Sequence, residues 1–482
     1  MNLRKKAYSG VRWTTFSSLT RTIFQIIQIS ILARVLTPAD FGLMALVTSY
    51  MAFLQIFSDA GISNAIIHYQ DISQKHLSSL YWLNVGVSFC LALLLSVVSP
   101  WIAGWYSQPQ LRFLLFMAGY FLVVRALAQQ IRVVAQKNLR FAELARIDFS
   151  AAFIGFIVAV ATALNGAGVY SIMAGSLAAA TIESVLVWYL LSGGWYPQFR
   201  LKIKEIQQFV AFGGYVMGNN LVNTFNSQID IMLGGKFLGS QALGLYSMPK
   251  DLNLRIAGVI NPIVTNVGLP VMARAQNDID FLKRVYLQTI RMTASVNFPI
   301  YLALVFFTPE IVNILLGAKW EEAIPLVPIF AVWGLVRSTG NPIGSLLMAR
   351  GRADLSFKWN LMWLCITPPI IWCGSHYGAK GMSIAMTALV LMSYWPNWYF
   401  QVRPLCNAKF WEYSAQIIIP LNLSIWAGVF GFISVICLTG DLLRLTIGLS
   451  VGAVIYIVLS RRFNSMWFES MRELILNPLH AK

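Results

Sequence analysis

From about its tenth residue almost to its end, the chain alternates long apolar runs with short polar connections. The runs fall at 12–33, 41–66, 80–105, 112–135, 147–166, 169–192, 211–234, 242–268, 289–315, 324–348, 357–375, 380–402, 414–438 and 442–460. Each approaches the roughly 20 apolar residues that a helix needs to cross a hydrocarbon core. A helix also satisfies its own backbone polar groups within one segment, as lipid requires. The pattern therefore predicts an all-α integral membrane protein of about fourteen transmembrane helices, with connections too short for a separate soluble domain.

Composition agrees, since 57% of the 482 residues are hydrophobic and 11% are charged. A formal net charge of +17 would suit nucleic acid, but the bases do not form a soluble face. They gather at alternate connections, as Lys75; Arg132, Lys137, Arg140 and Arg146; Arg200, Lys202 and Lys204; Arg274, Lys283 and Arg284; Arg350 and Arg352; Arg403 and Lys409; and Arg461 and Arg462. The intervening turns carry one base each at most, namely Arg34, Arg112, Lys236, Lys319, Lys380 and Arg444. The positive-inside rule reads this alternation as an even number of spans with both termini cytoplasmic, and no nucleic-acid partner is expected. Arg4, Lys5 and Lys6 precede the first run without a cleavage signal, so that span is expected to be retained. The five cysteines show no metal-type spacing and read as packed thiols.

An internal repeat organises the runs. Arg34-Val-Leu-Thr-Pro-Ala-Asp-Phe-Gly-Leu43 and Lys236-Phe-Leu-Gly-Ser-Gln-Ala-Leu-Gly-Leu245 share a base-x-Leu-x4-apolar-Gly-Leu pattern at an offset of 202. Six spans lie between the two, so the repeats run the same way through the membrane, a frequent plan among transporters. The expected organisation is an N-lobe at 1–198, a short interfacial helix at 199–210, a C-lobe at 211–403, and a C-terminal helix pair with a tail at 404–482.

Polar side chains inside apolar spans mark the candidate chemistry, because each is expensive against lipid. In the first span Thr14, Ser18, Arg21, Gln25 and Gln28 recur every three or four residues, on one helix face. At the same offset of 202, Asn220, Asn223, Ser227 and Asp230 form the matching stripe of the seventh. Asp59 and Ser63-Asn64 overlie Asn261 and Thr265-Asn266 in the same way. Lys250, Asp251 and Arg255 follow in span eight, Arg337 sits mid-span in the tenth, and Glu183 lies in the sixth. Stripes of this kind suit a water-filled cavity, although polar contacts gluing helices together would also account for single members. Arg21, Gln25, Gln28, Asn220, Asn223, Lys250, Arg255 and Arg337 are the candidate cavity residues. Guanidinium groups favour a phosphate-bearing cargo. Asp59, Asp230 and Glu183 are candidates for a coupling ion, a proton or sodium, and no other cofactor or metal is expected. Pro325, Pro328, Gly334, Gly340, Pro342 and Gly344 should break span ten around Arg337. The four histidines are scattered, and no phosphate loop or loop-borne carboxylate pair is present, so no enzyme is expected.

Several phrases resemble the polysaccharide transport (Wzx-type) flippases of the multidrug/oligosaccharidyl-lipid/polysaccharide superfamily, in particular the colanic acid exporter type of lipopolysaccharide biosynthesis protein. They are LRKKAYSGVRW, ILARVLTPADFGL, FSDAGISNAIIH, LYWLNVGVS and, most specific, RSTGNPIGSLLMARGRADLSFKWN from Arg337 to Asn360. The resemblance covers essentially the whole chain. It implies a two-lobed bundle in a bacterial inner membrane that carries an undecaprenyl-diphosphate-linked oligosaccharide across by alternating access, with a polymerase and chain-length proteins as partners. It also implies that basic cavity residues meet the diphosphate and sugar, a role for which Arg21 and the span-eight bases are placed. Two other readings stay open: a membrane enzyme or assembly scaffold of the same pathway, and a small-molecule cation antiporter on the same fold.

Overall fold

The computed structural model describes residues 22–69 and 72–476. Among these, regular structure is helical throughout. In chain order the helices are α1 (Thr22–Val35), α2 (Pro38–Asp59), α3 (Ile62–His68), α4 (Gln74–Tyr106), α5 (Gln110–Lys137), α6 (Phe141–Leu164) and α7 (Tyr170–Leu191). They continue as α8 (Ile203–Arg274), α9 (Ile279–Phe306), α10 (Thr308–Leu315), α11 (Leu326–Ala349), α12 (Ala353–Ser375) and α13 (Gly378–Met392). The last are α14 (Tyr394–Asn397), α15 (Arg403–Cys406), α16 (Phe410–Ile433), α17 (Asp441–Phe463) and α18 (Ser465–Leu476). By length and composition, eight of them are apolar enough to cross a membrane: α2, α4, α5, α6, α7, α9, α16 and α17.

Local chemistry sets the ends. Thr37 caps α2 in a reciprocal box with Asp40, and Pro38 occupies the first turn, where its missing N–H costs nothing. Ala60 and Gly61 close α2 in left-handed conformations, which divides the run expected at 41–66 into α2 and α3. The run at 289–315 is divided at Phe307 into α9 and α10. Three expectations change in detail. Residues 203–210 are not a separate helix but the first turns of α8. Span ten is one unbroken helix in spite of its prolines: Pro325 is the N-cap of α11, and Pro342 is buried within it. The turn expected near Lys236 is a single non-helical residue inside α8, Gly239, with φ 78° and ψ 174°.

The chain forms two compact units, Met1–Gly244 and Leu245–Lys482. In the first, α2 packs along the early part of α8. Ser49 Oγ donates to Gln228 Oε1 at 2.8 Å, and Tyr106 Oη donates to the Met232 carbonyl at 3.1 Å. Glycines admit the closest approaches at both ends of this seam. A Cβ on Gly42 would lie 1.9 Å from the Ser240 carbonyl oxygen, and one on Gly213 would lie 2.3 Å from that of Ala60. In the second unit the end of α17 is tied to α9. Tyr456 Oη donates to the Ser295 carbonyl at 2.7 Å, and Arg291 Nε donates to Asn464 Oδ1 at 2.7 Å.

Candidate functional site

In the first unit, Gln25 and Gln28 lie half-buried on α1, while Arg21, Thr14 and Ser18 fall outside the described residues. On α8 Asn220 and Asn223 are exposed, and Asp230 is buried. Asp59 closes α2 by accepting hydrogen bonds from the Ser63 hydroxyl and, at 3.4 Å, from the Ser63 N–H. Gln129 Nε2 of α5 donates to the same Ser63 hydroxyl at 3.1 Å. Asp59 thus belongs to a hydrogen-bonded chain that joins α2, α3 and α5.

Glu183 has a different setting. Arg132 of α5 reaches it with Nη1 at 2.6 Å, and grips Asp148 of α6 with Nη1 at 2.7 Å and Nη2 at 3.0 Å. One guanidinium therefore spans carboxylates on two helices, in the paired geometry that suits its planar fork. Two acids and one base cross-link α5, α6 and α7 and leave a formal charge of minus one.

In the second unit Lys250 is buried, Arg255 is half-buried, and Asp251 is exposed. Arg337 is exposed on α11, its guanidinium carbon 4.8 Å from the centre of the Trp333 ring. One turn away Gly334 makes room for the Tyr301 ring, since a Cβ there would lie 2.8 Å from it. Tyr301 Oη donates to the Asn253 carbonyl at 3.3 Å, and Asn253 itself is fully buried.

Two arginines that the sequence reading did not select, Arg125 and Arg132, both lie on α5. Their signal is a stripe at Arg125, Gln129, Arg132 and Gln136, spaced by four, three and four residues within an apolar helix. The charges flanking the spans are tied locally: a hydrogen bond and charge from Arg352 hold the Asp354 carboxyl down at about 2, and Arg200 does the same for Glu205 in direction. Among the described residues no three His, Cys, Asp or Glu side chains come together to hold a metal.

Acids and guanidinium groups inside lipid-length helices are costly and mark candidate functional positions, and known proteins narrow the choice. The model of the polysaccharide biosynthesis protein family matches residues 31–325, more than half of the chain. The chain belongs to the polysaccharide biosynthesis protein family. Relatives of this family include the teichuronic acid biosynthesis protein TuaB of Bacillus subtilis (strain 168), 29% identical over 88% of this chain and 85% of that one. The lipopolysaccharide biosynthesis protein WzxC of Escherichia coli (strain K12) is 28% identical over 92% of this chain and 90% of that one. The succinoglycan biosynthesis transport protein ExoT of Rhizobium meliloti (strain 1021) is 21% identical over 94% and 92%. The fold of this family member is shared with the lipid II flippase MurJ in an inward closed conformation, at TM-score 0.76 and 12% identity over 96% of this chain and 99% of that one. An inward-facing multidrug resistance MATE transporter of the MOP superfamily follows at TM-score 0.61 and 13% identity, covering 82% of this chain and 100% of that one. The chain is an all-helical integral membrane protein of the polysaccharide biosynthesis family, with a fold shared with MurJ and the MATE transporter.

Proposed function

We propose that this protein carries an undecaprenyl-diphosphate-linked oligosaccharide repeat unit from the inner to the outer leaflet of a bacterial inner membrane, for exopolysaccharide or lipopolysaccharide assembly. The observation that carries the reading is the set of polar and charged side chains set into apolar helices of a chain from the polysaccharide biosynthesis family, with Asp230 and Lys250 buried and Arg132 half-buried among them. In this reading fourteen spans form two six-span lobes and a C-terminal pair, both termini are cytoplasmic, and the lobes alternate in access. Arg21, Gln25, Gln28, Asn220, Asn223, Lys250, Arg255 and Arg337 would meet the headgroup, and Asp59 or Asp230 would bind the coupling ion. A polymerase and chain-length proteins would take the unit on the far side.

The test is mass spectrometry of lipid-linked saccharides in a deletion strain. Complete repeat units should accumulate on the cytoplasmic leaflet. Accumulation of a shorter, unprocessed precursor instead would assign the protein to an enzymatic step.

A further inference from the structure

The dipeptide Trp188-Tyr189 near the end of α7 returns as Trp398-Tyr399 just after α14, at an offset of 210. In both places the tryptophan is fixed and the tyrosine is presented. Trp188 Nε1 donates to the Leu127 carbonyl at 2.8 Å, and Trp398 Nε1 donates to the Ala408 carbonyl at 3.0 Å. Both indoles are half-buried. The tyrosine that follows is 83% exposed at 189 and 41% exposed at 399.

Each tyrosine stands in a wider aromatic rim. In the first unit the connection after α7 folds back on α4. Trp82 Nε1 donates to the Gln198 carbonyl at 2.9 Å, the Gln198 N–H donates to Ser78 Oγ at 3.1 Å, and the rings of Phe199 and Trp82 have centres 4.4 Å apart. Trp195 stacks on Trp188, and Tyr196 and Phe199 are exposed. In the second unit Tyr399 stacks on Trp395 at 5.3 Å, and Trp395, Phe400 and Trp411 are exposed. Outward rings on a tied-down backbone suit a membrane–water interface, where tyrosine and tryptophan keep one end apolar and the other wet.

Bases accompany both rims. Directly after Phe199 come Arg200, Lys202 and Lys204, against the single acid Glu205, which Arg200 holds at 2.6 Å and Lys202 approaches at 3.6 Å. Lys202 and Lys204 are exposed. In the second rim Glu412 lies 3.5 Å from Lys283, while Arg403 and Lys409 are exposed, the Arg403 guanidinium carbon 5.5 Å from the centre of the Tyr399 ring. The end of α4 around Trp101 and Trp105 differs. Those rings are exposed too, but Lys236 turns its charge onto the protein: Nζ donates to the Trp105 carbonyl at 2.8 Å and lies 4.7 Å from the centre of that ring.

We infer that the two rims are binding surfaces for anionic membrane phospholipids, one in each compact unit. The exposed rings sit at headgroup depth, and the lipid phosphates are taken by Lys202 and Lys204 in one rim and by Arg403 and Lys409 in the other. Excess positive charge beside the rings selects anionic over zwitterionic headgroups. Duplication favours a lipid over a protein partner, because lipid meets every unit of a membrane protein and a partner needs only one surface. Such rims would act whatever the cargo.

The test is the lipid retained by the purified full chain after equilibration in detergent micelles holding equal phosphatidylglycerol and phosphatidylcholine, counted by mass spectrometry of the extract. The parent should enrich phosphatidylglycerol by at least about fivefold, the worth of one base near an anionic surface. Enrichment should fall toward one in about 1 M salt, where screening is nearly complete. Lys202→Gln with Lys204→Gln, and Arg403→Gln with Lys409→Gln, should each remove part of it, and the four substitutions together should abolish it at the parent's melting temperature. Lys236→Gln should keep the parent's enrichment. Tyr189→Ser with Tyr399→Ser should lower the total lipid retained and leave the ratio unchanged. Equal enrichment in the parent and the four-substitution variant, or as large a loss from Lys236→Gln, overturns the assignment. If the four-substitution variant folds poorly, the parent decides, since enrichment that ignores salt refutes a charge-based surface. Undecaprenyl phosphate added to the micelles separates the two lipid sources: phosphatidylglycerol that stays bound supports a phospholipid surface, and its displacement by an equal amount of the polyprenyl lipid overturns it.

Discussion

Arg132 shows how one residue decides what its neighbours are free to do. Its guanidinium occupies Glu183 and Asp148 together, at side-chain exposures of 16–22%. Removing it would leave two carboxylates close together in a poorly solvated place, a cost on the order of 2 kcal/mol, less than for a fully buried pair. Arg132→Ala should therefore melt clearly lower than the parent, while Arg132→Lys keeps part of the difference, read by thermal unfolding in detergent. The same geometry bears on coupling. Glu183→Gln should leave the dependence of transport on an imposed proton or sodium gradient intact in proteoliposomes, whereas Asp59→Asn or Asp230→Asn should remove it. A gradient response unchanged in both aspartate variants would discard these two as coupling groups. Arginine at 125 and 132 was legible as composition but not as chemistry: nothing in a single sequence says which acids a long side chain will reach two helices away. Glu183 was singled out as a titratable group for the same reason, its partner being 51 residues distant.

At the scale of elements, the sequence located helices well and their joints less well. Hydrophobic runs fix where a segment can dwell in lipid, so every run from 41 onward overlies helix. The breaks at Ala60-Gly61 and Phe307 fall inside runs that are apolar on average, and their cues are local: Gly61 among Asp59, Ser63 and Asn64, and Pro309 in the first turn of α10. The prolines of α11 misled in the opposite sense. Pro325 and Pro328 lie at its start, where no intrahelical N–H bond is lost, and the helix passes through Pro342 without ending. Glycine spacing proved more telling than glycine number. Gly42 and Gly244 are the equivalent glycines of the repeated base-x-Leu-x4-apolar-Gly-Leu pattern, and they approach each other: a Cβ on Gly42 would lie 2.8 Å from the Gly244 nitrogen. Gly42→Ala should thus force α2 and α8 apart and cost about 1–3 kcal/mol, by analogy with overpacked cores. Gly104→Ala, whose Cβ would meet nothing, provides the control and should leave the melting temperature unchanged.

For the whole molecule, the alternation of basic and nearly neutral connections makes a prediction about sidedness. Cysteines placed at 202 and 283 should resist an impermeant reagent added to intact cells, and one placed at 236 should react; the reverse pattern would invert the protein in the membrane. That assignment rests on the chain turning back within α8. A straight helix of its 72 residues would be about 108 Å long, against a hydrocarbon core of roughly 30 Å. Nothing crowds the residue where it breaks, because a Cβ on Gly239 would meet no atom within 4 Å. What excludes other residues there is the backbone itself, held at φ 78° and ψ 174°, a region essentially closed to L-amino acids. The mirror image of that conformation is ordinary extended chain. A D-alanine would sit at 239 as comfortably as an L-alanine sits in a strand, so this position selects for handedness, not for size or polarity.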